Sequence, residues 1–295
     1  MAKEFTIENE YLKVTVTTWG AQVKSVIRKS DAVEHMWQAD KSVWGYHAPI
    51  LFPYAGKLKD GIMEVDGVTY HPPAAHGFAR TSEHSFVRQT DDTIVLELTD
   101  SVETLGVFPW KFRLLSTFRL ENDTLHHTLT VENRDEKAFS FGIGYHPAFT
   151  IPFDENHIFS DYELRFSHLE SPMCLGTAPR GLLNGQFYFL GNNIRSIPVT
   201  DGMFDNDSHC MVNLQSDSLG LYEKETGRGV VCRIKGFAGC LIWSKPGTPR
   251  FICIEPWNSL PSAESGSTKW EEKPAAASVA PGDRWSTTLT TSFVR

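Results

Sequence analysis

Residues 112–133 read FRLLSTFRLENDTLHHTLTVEN, and this stretch decides the fold class. Phe112, Leu114, Phe118 and Leu120 fall on alternate positions, and Leu125, Leu129 and Val131 do the same beyond them. A period of two sends successive side chains to opposite faces, which marks a strand with one face in a core. Glu121-Asn122-Asp123 separates the two runs and Asn133-Arg134-Asp135 closes the second. Asn and Asp bond to nearby backbone and suit tight turns, so the stretch predicts two antiparallel strands joined by a short connection.

The same signature spreads outward. Leu12, Val14 and Val16 share a face, as do Ile94, Leu96 and Leu98, and Asp66-Gly67 links Met63-Glu64-Val65 to Val68-Thr69-Tyr70 as a hairpin. No window of roughly 11 to 18 residues keeps a helical spacing of apolar positions without interruption. The stretch 31–44 is the one place where a helical turn or two is expected. Polar residues 259–277 predict an irregular excursion before a final strand at 285–293. With 19 Phe, 8 Trp and 8 Tyr in 295 residues, the composition favours pleated sheet. The expectation is an all-β, mostly antiparallel chain with very few short helices, residues 1–295 forming a single domain of stacked sheets.

A formal net charge of -8 with no basic run speaks against nucleic acid or anionic lipid as a partner. The opening MAKEFTIENE lacks the basic start and apolar core of a secretory signal, and no run approaches the roughly 20 apolar residues that cross a bilayer. A cytoplasmic protein, monomer or homodimer, is expected. Five cysteines at irregular spacings with no C-x-x-C pair read as reduced, buried thiols. His126 and His127 are adjacent, so on a strand they face opposite ways, and His71 and His76 are five apart across two prolines. Neither pair has a metal-ligand spacing, and neither metal nor cofactor is expected.

Four segments set ionisable residues among Gly, Pro and aromatics: Leu51 to Gly61 (LFPYAGKLKDG), His76 to Arg80 (HGFAR), Gly142 to Phe149 (GIGYHPAF) and Ile254 to Leu260 (IEPWNSL). His146, between Tyr145 and Pro147, reads either as a strand-end residue bonded to backbone or as a general acid. Glu255 follows the apolar run Phe251 to Ile254. It reads as half of a buried salt bridge with Arg80 or Lys57, or as a base made stronger by desolvation. His76 and Arg80 are candidate donors to hydroxyl or ring oxygens. Lys57 and Asp207 are weaker candidates, and Trp257 is either an aromatic floor for a ligand or a core residue.

In this order and spacing the segments resemble the aldose 1-epimerase family, and within it the LacX-like subgroup of bacterial sugar operons. LFPYAGKLKDG is similar to that subgroup's LFP-x-x-GRLKDG block, HGFAR to its sugar-binding His segment, GYHPAF to its G-x-HPAF. FDNDS (204–208) matches its acidic loop and CIEPWNSLP (253–261) its catalytic Glu segment. The resemblance runs from about residue 5 to the C-terminus. It implies a β-supersandwich of the galactose mutarotase type and interconversion of the α and β anomers of an aldohexose without metal. His146 would be the general acid, Glu255 the general base, and His76 and Asp207 sugar-binding positions, with Arg80 beside the first. One departure stands out: Lys57 occupies the position of the family's usual Arg, and a point-charge ammonium does not reproduce a planar two-pronged donor. A carbohydrate-binding or sensory protein on the same scaffold and a hexose-6-phosphate 1-epimerase are the alternatives kept open. A metal-dependent cupin-like isomerase would need an H-x-H strand pair, which this sequence lacks.

Overall fold

A computed structural model describes residues 2–295. Residues 112–133 form the predicted hairpin: Phe112–Glu121 pairs antiparallel with Thr124–Asn133, from Phe112↔Asn133 to Glu121↔Thr124. Burial alternates along both strands, and it turns His127 inward and leaves His126 at the surface side. Asn122 takes the left-handed φ of 53° that the turn requires.

This hairpin lies inside a nine-stranded sheet. Its order runs Ile194–Pro198, Tyr162–Glu170, Ser218–Glu223, Gly229–Arg233, Arg284–Val294, Thr124–Asn133, Phe112–Glu121, Thr93–Thr99 and Ser85–Gln89. A second sheet of eight strands carries Phe187–Phe189, Met173–Leu175, His209–Val212, Gly239–Trp243, Phe251–Trp257, Gly144–Tyr145 and Ile50–Leu51 in that order, with Ala148–Thr150 also paired to Phe251–Trp257. Glu4–Glu8, Leu12–Thr17, Gln22–Arg28 and Val33–Glu34 make a four-stranded sheet. All these pairings are antiparallel, as expected for an all-β chain.

One buried cluster joins the sheets, with Leu114, Phe118 and Leu129 from the first and Tyr145, Ile242 and Ile254 from the second. Tyr145 pins them together: its hydroxyl lies 2.8 Å and 2.9 Å from the carbonyl oxygens of His127 and Thr287. Because Tyr145 fastens one face of its short strand to the core, the next residue, His146, is aimed the other way.

Two local expectations meet different outcomes. Asp66-Gly67 makes the predicted hairpin, both residues having positive φ (49° and 79°), as a type I′ turn demands. Residues 31–44 hold one helical turn, at their end, where the N–H groups of Val43 and Trp44 donate to the Asp40 carbonyl at 2.9 and 2.8 Å. Before it come the short strand Val33–Glu34 and irregular backbone. The Glu34 carboxylate accepts the backbone N–H groups of Val26 and Met36, and Asp31 pairs with Arg28. These side-chain bonds hold the backbone extended and compete with helix formation. The one α-helix among the described residues is Val102–Leu105, capped by Ser101. Residues 259–276 are irregular apart from the single turn Trp270–Glu272, Ala277–Val279 pairs with Phe139–Phe141, and the last strand is Arg284–Val294. All five cysteines are free and buried.

Candidate active site

Phe251–Trp257 is buried along its whole length. The period of two puts Ile252 and Ile254 on the core side and Cys253, Glu255 and Trp257 on the other. Pairing extends that second face: Leu241 lies opposite Glu255 and Trp243 opposite Cys253. On the other edge, Gly144 pairs with Trp257 and Ala148 with Cys253. His146 stands in the gap between those two short pairings and is carried alongside Glu255. Its Nε2 is 3.3 Å from Oε2 of Glu255, the two residues being 7% and 2% exposed. Neither Arg80 nor Lys57 forms an ion pair with Glu255; the partner is His146.

The pair sits in the wall of an open cleft of about 270 Å³, bordered also by His76, Arg80, Asp207 and Trp257, close to the roughly 300 Å³ at which small-ligand sites begin. His76 and Asp207 both adopt left-handed backbone, with φ of 63° and 78°, a conformation that costs energy for residues other than Gly and gathers at functional sites. The Gly56 N–H donates to Nδ1 of His76 at 3.1 Å. Burial lowers the His76 pKa well below the ordinary imidazole value, so the ring is neutral, and with Nδ1 accepting, its proton is on Nε2. Gly77 follows at φ 67°, passing so close to Phe52 that a Cβ would come within 2.1 Å of that carbonyl oxygen. The Arg80 guanidinium lies over the Tyr46 ring at 5.0 Å, and among the described residues no carboxylate or carbonyl takes up its donors.

Lys57 is not in the cleft wall. It is exposed, and its ammonium donates to the Arg180 carbonyl at 2.8 Å, tying down the loop after Met173–Leu175. Sequence reasoning missed two wall residues, Trp44 and Trp243. Trp44 stacks on the His146 ring at 5.0 Å and Trp243 meets it edge-on at 5.7 Å. Trp243 arrives through strand pairing, which the chain order does not reveal. Trp44 comes from the stretch read as helical, and its one signal is the aromatic pair Trp44 and Tyr46 around a glycine.

Burial governs the chemistry of the pair. It pushes the His146 imidazole down to about 3, helped by the positive charge of Arg80. It raises the Glu255 carboxyl well above the usual carboxylate range, helped by the charge of Asp207 and opposed by the Trp257 indole. Both groups are driven toward their neutral forms. Sequence spacing alone suggested no metal ligands, yet His146, Cys253 and Glu255 bring ligand atoms within 4.8 Å of one another. Burial, then the charge of Glu255, keeps the Cys253 thiol protonated.

A family model described as Aldose 1-epimerase matches residues 3–269. The chain belongs to the aldose 1-epimerase family. This epimerase is 31% identical over 290 residues to the plasmid protein LacX of Lactococcus lactis subsp. lactis, the match covering 94% of this chain and 95% of that protein. It superposes on a galactose mutarotase related enzyme from Lactobacillus acidophilus with a TM-score of 0.94 at 27% identity, covering 99% of this chain and 98% of that one. A galactose mutarotase-like protein from Lactobacillus casei gives 0.90 at 28% identity, over 98% and 99% of the two chains. The epimerase is therefore an isomerase of the mutarotase type, built on the galactose mutarotase fold that the motifs implied.

Proposed function

We propose that Glu255 is the base and His146 the acid of this epimerase, and that the substrate is an unphosphorylated aldohexose. The observation that carries the reading is the 3.3 Å separation of the two groups inside a cleft wall. Ring opening removes the proton from O1 and supplies one to the ring oxygen O5. Both oxygens are bonded to the anomeric carbon, so acid and base belong side by side, closer than a gap the width of a sugar ring.

The pair needs one proton in total. With that proton on His146, Glu255 takes the O1 proton as His146 gives its own to O5. The pair is left as a carboxylic acid and a neutral imidazole. Rotation about the C1 to C2 bond turns the other carbonyl face, and closure returns both protons to where they began. Burial destabilises both ions and so favours the arrangement with the proton on Glu255; the catalytic one, with the proton on His146, is reached from it by proton transfer across the 3.3 Å contact. A second proton disables the base and loss of the first disables the acid, so kcat/KM follows a bell-shaped pH dependence whose limbs belong to the pair.

Arg80, the neutral His76 and Asp207 supply donors and an acceptor that orient the hydroxyls. Among the described residues Arg80 is the one Arg or Lys bordering the cleft, and it is outnumbered by the carboxyl groups of Asp207 and Glu255. A phosphate dianion is poorly served there, and Lys57 is turned away. The single buried cluster shared by the sheets supports a one-domain reading, and five free thiols support a reducing compartment such as the cytoplasm.

Optical rotation of fresh α-D-galactose or α-D-glucose tests the assignment. Glu255→Ala and His146→Ala should each slow its relaxation by about 10² to 10⁴-fold. Full activity in either variant overturns the acid and base roles, and faster turnover of the 6-phosphate overturns the substrate class.

A further inference from the structure

Trp257 has a buried indole N–H without a hydrogen-bond partner among the described residues. Leaving a donor in that state costs roughly 1–3 kcal/mol, and such groups are rare enough in folded proteins to need a reason. The residue is 2% exposed and stands two positions after Glu255 on the same strand, so both project from one face. Both border the cleft.

The ring is clamped. It packs over Gly144 so closely that a Cβ there would fall 2.6 Å from its Cδ1, the atom bonded to Nε1. On another side the His76 ring meets it edge-on at 5.6 Å. The N–H is shielded from solvent, so a sugar entering the cleft does not touch it. Two positions back on the same strand face, Glu255 offers the carboxyl group whose ionised form the indole favours while burial and Asp207 oppose it.

We infer that Trp257 is a positioning residue for the base, its indole N–H held to donate to the Glu255 carboxylate and to tighten onto it when the negative charge is there. The inference rests on the reading of Glu255 as the base. A neutral donor suits this task, because a cation in its place would compete with His146 for the same carboxylate. Trp257 then sets the pH range in which Glu255 ionises and does not serve as the floor of the sugar site. The other titratable groups facing Glu255 are His146 and His76, Arg80, Asp207 and the thiols of Cys210, Cys240 and Cys253. The substitution Trp257→Phe leaves all of them in place.

Trp257→Phe keeps an aromatic ring over Gly144 and removes the N–H. The expected result is a kcat/KM profile moved to higher pH by about one unit, the size of one hydrogen bond to a charged group, with KM at the new optimum within about twofold of wild type. A profile that falls in height without moving, or a raised KM with unmoved limbs, overturns the inference and returns Trp257 to packing or to the sugar floor. A second measurement needs no variant of Trp257. In the ¹H–¹⁵N spectrum of the wild-type protein its indole resonance should titrate with Glu255, and in Glu255→Gln that titration should vanish. An indole resonance indifferent to Glu255 brings the inference down whatever Glu255 does. One that titrates, in an enzyme whose Glu255→Ala variant stays fully active, brings down the base assignment and leaves the hydrogen bond standing.

Discussion

A carboxyl group and an imidazole share one dry wall of the cleft, and each is held away from its charged form by the loss of water. For Glu255 this has a direct consequence for stability. Its pKa is higher folded than unfolded, so the folded protein binds the proton more tightly. The resulting stabilisation is present below the unfolded carboxyl value and is lost as pH rises through the folded one. Each unit of the upward displacement is worth about 1.4 kcal/mol. Glu255→Gln, which is never charged, should therefore melt above wild type at pH 8 while losing its activity, and the gap should close near pH 4. Scanning fluorimetry at the two pH values checks this, and a variant less stable than wild type at pH 8 contradicts it. His146 and Glu255 stood out in the sequence as ionisable residues next to Pro at or near the end of an apolar run, open to a structural or a functional reading until the resemblance of the motifs favoured the second. Trp44 and Trp243 did not, since a tryptophan carries no mark of the side chain it will stack on.

At the level of the segment, reading succeeded where a period of two ran on without competition and failed where side chains bonded to backbone. The hairpin 112–133 is the first case and residues 31–39 are the second, as the Glu34 carboxylate takes two backbone donors there, so that the expected helical turn is confined to residues 40–44. The HGFAR segment shows what a tight backbone crossing does for the cleft. Gly77 passes the Phe52 carbonyl with positive φ, and His76 and Arg80 ride on either side of it. Gly77→Ala should cost well over the roughly 1 kcal/mol of a Cβ at positive φ alone, because backbone must also move. We expect a melting temperature lowered by several degrees and a KM raised more than kcat is lowered. An unchanged KM would mean that this segment does not hold the sugar.

Across the whole molecule, the order of strands could not be read from the chain. Arg284–Val294 lies between Gly229–Arg233 and Thr124–Asn133, and nothing local announces a partnership over such a separation. What the chain did contain was the set of parts, because alternation, turns and strand-end polar residues are written within a few positions of one another. The assembled molecule has a property that no single strand has. Two half-buried indoles, Trp44 and Trp243, rim the cleft that His146 and Glu255 border. Their emission depends on the polarity around them, and a sugar that expels water from between them changes it. Titration with galactose should shift or quench the intrinsic fluorescence along a saturable curve, and Trp44→Phe should shrink the signal. The protein then carries its own optical gauge of occupancy, and ligands can be ranked on it without label or coupled assay.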